Sequence, residues 1–131
     1  MAQQIIRHVK DMVAEANTRV TTLSFEEAAA LLGSEAHVFV DIRDVRELQR
    51  SGKIPGAFHG PRGMLEFWID PDSPYHKPIF AEEKTFVFYC ASAWRSALAT
   101  DMAQKMGLSP VAHIAGGFAG WEKSGGPIEQ V

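Results

Sequence analysis

The apolar positions along the chain fall into two rhythms, stripes at helical spacing and short continuous runs of β-formers. Ile5, Ile6, Val9, Met12, Val13 and Ala16 recur with polar residues between them, which predicts an amphipathic helix over residues 2–16. Its stripe is expected to pack on the molecule's own core, with a dimer contact as the alternative. Ser24 with Glu27 forms a capping box, opening a short helix through residues 28–32 that stops at Gly33. His37-Val38-Phe39-Val40-Asp41 reads as a buried strand. Asp44 and Glu47 repeat the capping pattern for a helix ending near Gly52.

Downstream, Ile54-Pro55-Gly56-Ala57 is a turn, and residues 62–69 have the pattern of another short helix. Residues 70–78 carry prolines at 71, 74 and 78 and form a loop. Thr85-Phe86-Val87-Phe88-Tyr89 is the strongest strand signal, an unbroken run suited to the centre of a parallel sheet. A helix follows from about Arg95, with Leu98, Met102 and Met106 on one stripe and Gly107 at its end. A last strand over residues 111–115 precedes a glycine-rich turn and a short helix over residues 118–123. Strands alternating with helices predict an α/β domain, its mostly parallel sheet covered on both faces. Such sheets bind ligands at the carboxyl ends of their strands.

Composition narrows the class. With 131 residues, 46% of them hydrophobic and 22% charged, the chain fits one folded domain. A net charge of -3 gives no reason to expect nucleic acid or an anionic membrane as partner. The N-terminus reaches Asp11 and Glu15 without an uninterrupted apolar stretch, so neither a signal peptide nor a transmembrane span is expected. A single cysteine makes no intramolecular disulfide and suits a reducing compartment, so the expected location is cytoplasmic. The histidines at 8, 37, 59, 76 and 113 show no ligand spacing, and Gly116-Gly117-x-x-Gly120 lacks the dinucleotide fingerprint. No metal and no cofactor are expected.

That one cysteine, Cys90, falls at the carboxyl edge of the central strand and is followed by Ala91-Ser92-Ala93-Trp94-Arg95 and a helix. A strand–short loop–helix unit curls its backbone N–H groups toward one point, and the helix dipole adds positive potential there. Arg95 brings a cation to the same place. A thiolate is favoured in such surroundings and makes a nucleophile able to hold an anion beside its sulfur.

The run from Tyr89 to Ala99 resembles the active-site loop of rhodanese-like sulfurtransferases. Val40-Asp41-Ile42-Arg43 with Gly52-Lys53-Ile54-Pro55-Gly56-Ala57, and Ala115-Gly116-Gly117-Phe118-Ala119-Gly120-Trp121, resemble two further signatures of that family in the same order. The resemblance implies a rhodanese-like three-layer domain over residues 20–131, with a central five-stranded sheet and helices on both faces. Residues 1–19 then form a helical extension packed on it. It implies a double displacement in which Cys90 takes a sulfane sulfur from thiosulfate or a persulfide donor and passes it to a thiol or cyanide. The N–H groups of Ala91, Ser92, Ala93, Trp94 and Arg95 would cradle the outer sulfur.

Two positions depart from the family pattern. Ala93 stands where glycine is usual, so either its φ is negative or the cradle is altered. Lys53 stands where histidine is usual, on a surface turn. Four residues separate Cys90 from Arg95. Phosphatases and arsenate reductases of related fold carry a loop one residue longer, so the shorter loop favours sulfur. The alternatives are a non-catalytic binding or regulatory module and, behind it, a phosphatase.

With no second cysteine, sulfur must leave Cys90 to an acceptor arriving in trans: a small thiol, cyanide or another protein. The chain is expected to be a monomer or homodimer. Asp41 and Arg43 are read as holding the strand–helix junction, with Glu47 within reach of Arg43. Arg62 is a candidate for binding an anionic donor, or a solvated helix-start arginine. Phe67, Trp68, Tyr75 and Trp94 are candidates for an aromatic wall beside the loop. His59 is a candidate base, though a structural role suits it better.

Overall fold

The computed structural model describes residues 2–131. Five strands, β1 (Thr21–Leu23), β2 (His37–Asp41), β3 (Phe58–His59), β4 (Thr85–Tyr89) and β5 (Val111–Ile114), form one sheet in the order β1-β5-β4-β2-β3. Every pairing is parallel, with Val40 opposite Phe88 and Phe88 opposite His113. The chain belongs to the α/β class, three layers deep. β1 and β3 are edge strands of three and two residues, too short for their sequence patterns to register as strands.

Side-chain alternation along β4 divides the core. Phe86, Phe88 and Cys90 face one way, into a cluster with Leu65, Ile69, Phe80, Ala99 and Ala103. Val87 and Tyr89 face the other, with Ala28, Ile54, Phe118 and Trp121. The helices α4 (Leu65–Ile69) and α5 (Trp94–Met106) cover the first face; α2 (Phe25–Ala29) and α6 (Gly117–Lys123) cover the second. The capping boxes on Ser24–Glu27 and Asp44–Glu47 are both formed, the second opening α3 (Val45–Ser51).

Two helix expectations are corrected. The first helix, α1, runs Val9–Asn17 rather than over residues 2–16, and Ile5 and Ile6 lie outside it, 65% and 95% exposed. Only Val13 and Ala16 of the expected stripe are buried; they meet Ala97 and Leu98 of α5. Residues 2–8 are exposed throughout, and isolated helical turns without packing do not persist. Arg19 fastens the end of this segment to α5, its Nε and Nη2 donating to Asp101 at 2.9 and 2.7 Å.

In α5 the buried face is not Leu98, Met102 and Met106 but Ser96, Ala97, Ala99, Thr100, Asp101 and Ala103. The helix is wedged between the sheet and α1, and small side chains permit that close approach on two sides. Met102 and Met106 are left partly in solvent. Among the described residues no helix is long and apolar enough to cross a membrane.

Candidate active site

Cys90 follows directly on β4 and is 1% exposed. The loop behind it is short, and α5 begins at Trp94, the fourth residue after the cysteine. The turn requires a left-handed residue, and Ala93 supplies it with φ at +75°, the sole non-glycine residue of positive φ among those described. The expected choice between a negative φ and an altered cradle resolves a third way. Alanine adopts the conformation glycine usually takes, at a cost of about 1–2 kcal/mol that the surrounding packing sustains.

The opposite wall is α6. Phe118 N–H donates to the Cys90 carbonyl at 2.7 Å and Ala119 N–H to the Ala91 carbonyl at 3.1 Å. That approach requires glycine at 117, where φ is +61° and a Cβ would stand 2.6 Å from the Cys90 carbonyl oxygen. The first two peptides of the loop are thus clamped by the N-terminus of a neighbouring helix.

Ser96 N–H donates to Cys90 Sγ at 3.3 Å. The N–H groups of Ala91, Ser92, Ala93, Trp94 and Arg95 donate to no acceptor among the described residues. Five donors without a partner therefore lie in the stretch that follows the cysteine, whose sulfur accepts from Ser96. The Ser96 side chain points away from the sulfur, its Oγ 2.9 Å from His113 Nδ1. His113 Nε2 lies 3.1 Å from both Asn17 Oδ1 and Thr22 Oγ1. Because Asn17 Oδ1 only accepts, Nε2 carries the proton and Nδ1 accepts from the Ser96 hydroxyl. Burial lowers the His113 pKa to about 4, which keeps the ring neutral in this role. Sequence reasoning set His113 aside with the other histidines; its signal was a polar residue inside an otherwise apolar strand run.

Arg95 is engaged. Its Nη1 and Nη2 donate to the two oxygens of Glu47 at 2.9 and 3.0 Å, a fork joining α5 to α3. Those hydrogen bonds hold the Glu47 carboxyl below the usual carboxylate range and raise Arg95 in turn. The expected partner of Glu47, Arg43, is bound elsewhere. Arg43 Nε and Nη2 donate to the Asp41 carboxylate at 3.0 and 2.7 Å, Nη1 to Ser51 Oγ and Nη2 to the Gly52 carbonyl. The guanidinium also lies 4.2 Å over the Phe118 ring. Both residues are at most 2% exposed. With those donors engaged, the pair ties β2 to the end of α3.

The remaining candidates are dispersed. Arg62 is half-buried and paired with Glu66 at 2.7 Å. His59 Nε2 is 2.7 Å from the Arg43 carbonyl oxygen, a structural contact rather than one to the cysteine. The aromatic wall is not assembled: Trp68 packs edge-on against Phe58 in the core, Phe67 and Tyr75 pair at the surface, and Trp94 alone stands on the loop, 49% exposed. A depression of about 200 Å³ borders the loop at Ala91, lined also by Arg43, Glu47, Arg50, Ser51, Phe118, Ala119 and Glu122. No cluster of His, Cys, Asp and Glu among the described residues is placed to hold a metal.

Comparison with known proteins places these motifs. The model of the rhodanese-like domain matches residues 24–124. The chain is 29% identical over 106 residues to the human thiosulfate:glutathione sulfurtransferase, covering 76% of this chain and 91% of that protein. It is 28% identical over 104 residues to mouse thiosulfate sulfurtransferase/rhodanese-like domain-containing protein 3, covering 76% of this chain and 66% of that protein, just under two thirds of its length. A solved structure from Rhodopseudomonas palustris CGA009, described as a protein of unknown function and possible tyrosine phosphatase, superposes with a TM-score of 0.96. It is 60% identical, over 98% of this chain and 99% of that one.

Proposed function

The chain belongs to the rhodanese-like domain family, and from that membership we propose that it is a sulfurtransferase working through a persulfide on Cys90. The observation that carries the reading is the Cys90 sulfur, bonded by Ser96 N–H at the base of a loop whose N–H groups are otherwise free. The Cys90 thiolate attacks the outer sulfur of thiosulfate or a related donor, and the donor's S–S bond breaks. Sulfite departs with the electron pair. The loop donors and the α5 N-terminus hold the charge of the new persulfide. An acceptor thiolate or cyanide then takes the outer sulfur and regenerates the Cys90 thiolate.

The acceptor arrives from outside, since no second cysteine exists to receive the sulfur. A small thiol, cyanide or a protein thiol all satisfy that chemistry. An unpaired thiol of this kind works in a reducing compartment, which favours the cytoplasm.

The test is mass spectrometry after incubation with thiosulfate. A gain of about 32 Da, reversed by cyanide and absent in Cys90→Ser, is expected. No adduct with any sulfane donor would overturn the reading and leave a non-catalytic module. The phosphatase reading draws on the description of the Rhodopseudomonas palustris neighbour. Against it stand the four residues between Cys90 and Arg95, one fewer than an oxyanion loop of that type carries. Aryl-phosphate turnover dependent on Cys90 would reverse this judgement.

A further inference from the structure

Three arginines that follow β2 and β3 are held by carboxylates. Arg43 is held by Asp41, Arg46 by Asp44 and Arg62 by Glu66. Arg50 and Glu122 line the same depression beside Ala91. The cation nearest the cysteine in sequence, Arg95, is taken bidentately by Glu47. The charge of the loop's own arginine is therefore largely offset by Glu47, while Arg50 has no ion-pair partner among the described residues. We propose that Glu47 determines donor specificity: by cancelling Arg95 at the rim of the loop, it favours sulfur donors of one negative charge or none over a dianion. The proposal rests on the sulfurtransferase reading and adds the charge class of the donor to it.

Glu47 has a second task that allows the charge to be tested separately. Its Oε2 accepts the Asp44 N–H at 2.9 Å, completing the capping box of α3. Glutamine serves that position of a capping box as well as glutamate. Glu47→Gln therefore keeps the cap and one bond to Arg95 while releasing the arginine's charge. The pair is partly screened, with side-chain exposures of 41% for Arg95 and 24% for Glu47, so an arriving anion reaches Arg95 from solvent.

Two donors isolate the variable. In thiosulfate the Cys90 thiolate attacks the outer sulfur and sulfite leaves as a dianion with the S–S electron pair. In methanethiosulfonate the same outer sulfur moves and methanesulfinate leaves as a monoanion. Each step forms one S–S bond and breaks another, and neither needs a proton, an oxidant or a reductant. The donors differ by one negative charge at the end that leaves.

Single-turnover persulfide formation, followed by mass, gives a half-saturating concentration and a maximal rate for each donor. In Glu47→Gln the half-saturation for thiosulfate should fall roughly tenfold relative to methanethiosulfonate, the size of one unit charge acting over several ångströms in a half-wet site. The change should lie mainly in half-saturation rather than maximal rate, and shrink as salt is added. Glu47→Asp keeps the charge and should keep the ratio of the unmodified protein. Arg95→Gln, which leaves Glu47 uncancelled, should shift the ratio the opposite way and serves if Glu47→Gln folds poorly. A ratio unchanged within about twofold in both Gln variants, or moved equally by Glu47→Asp and Glu47→Gln, would overturn the proposal. Absence of persulfide from either donor in the unmodified protein would instead overturn the sulfurtransferase reading itself.

Discussion

Gly117 touches the backbone of Cys90 so closely that a methyl group on its Cα would lie 2.6 Å from the Cys90 carbonyl oxygen and 2.7 Å from that of Ala91. The contact is made between backbones, so no side-chain rotation relieves it. Gly117→Ala should therefore push the start of α6 away from the loop and weaken the Phe118 and Ala119 hydrogen bonds to it. A loss of about 2 kcal/mol or more in denaturant unfolding is expected, from overpacking combined with a positive φ. Persulfide formation should slow alongside it.

Ala93 calls for the reverse substitution. Ala93→Gly removes the left-handed penalty at φ +75° and adds freedom to the unfolded chain, so the two effects partly cancel. A net gain of up to about 1 kcal/mol is expected from thermal unfolding. Ala93→Val, β-branched at the same φ, should destabilise the protein by more than that and disturb the loop.

His113 makes stability depend on pH. Its folded pKa of about 4 lies below the ordinary value of 6.5, so the unfolded chain takes up a proton first as pH falls. Stability should be fully present above about pH 6.5 and decline between 6.5 and 4, by about 2 kcal/mol at pH 5. Urea unfolding at pH 7 and pH 5 measures this, and His113→Gln should flatten the difference. Glu47 and Asp101, held low by Arg95 and Arg19, add their own losses only below the usual carboxylate range.

The Asp41–Arg43 pair is buried on both sides, so removing one partner strands the other. Asp41→Asn should cost about 3–5 kcal/mol. Replacing both with apolar residues of similar volume should cost much less, because no lone charge is left in the core. Comparing the single and double variants by denaturant unfolding separates the loss of a contact from the stranding of a charge.

Much of this arrangement was legible in the chain. The run 86–89 is apolar because β4 is covered on both faces, and that pattern alone places Cys90 at the carboxyl end of a central strand. The two capping boxes were local patterns and formed as written. What was hidden depended on distant contacts. Glu47 lies one helical turn from Arg43 yet reaches Arg95, 48 positions away, because Asp41 already occupies Arg43. His113 carried no motif; its partners come from Asn17, Thr22 and Ser96, which only folding assembles. In α5 the sequence pattern points to Leu98, Met102 and Met106 because periodicity weighs hydrophobicity, whereas a helix squeezed on two sides selects for size.

The hydrogen bonds on His113 bear on how the protein is cut. Asn17 and Thr22 precede residue 24, as does Arg19, which grips Asp101. Beyond residue 124, the Pro127 carbonyl accepts from Trp121 Nε1, and Glu129 pairs with Lys53 through its backbone. A fragment trimmed to residues 24–124 would keep every residue of the cysteine loop. It would also leave one nitrogen of a buried histidine with no counterpart and expose Ala97 where α1 had lain. Portability therefore fails at the recognisable boundaries: a graft or fusion meant to carry this chemistry should begin before Val9 and run past Glu129.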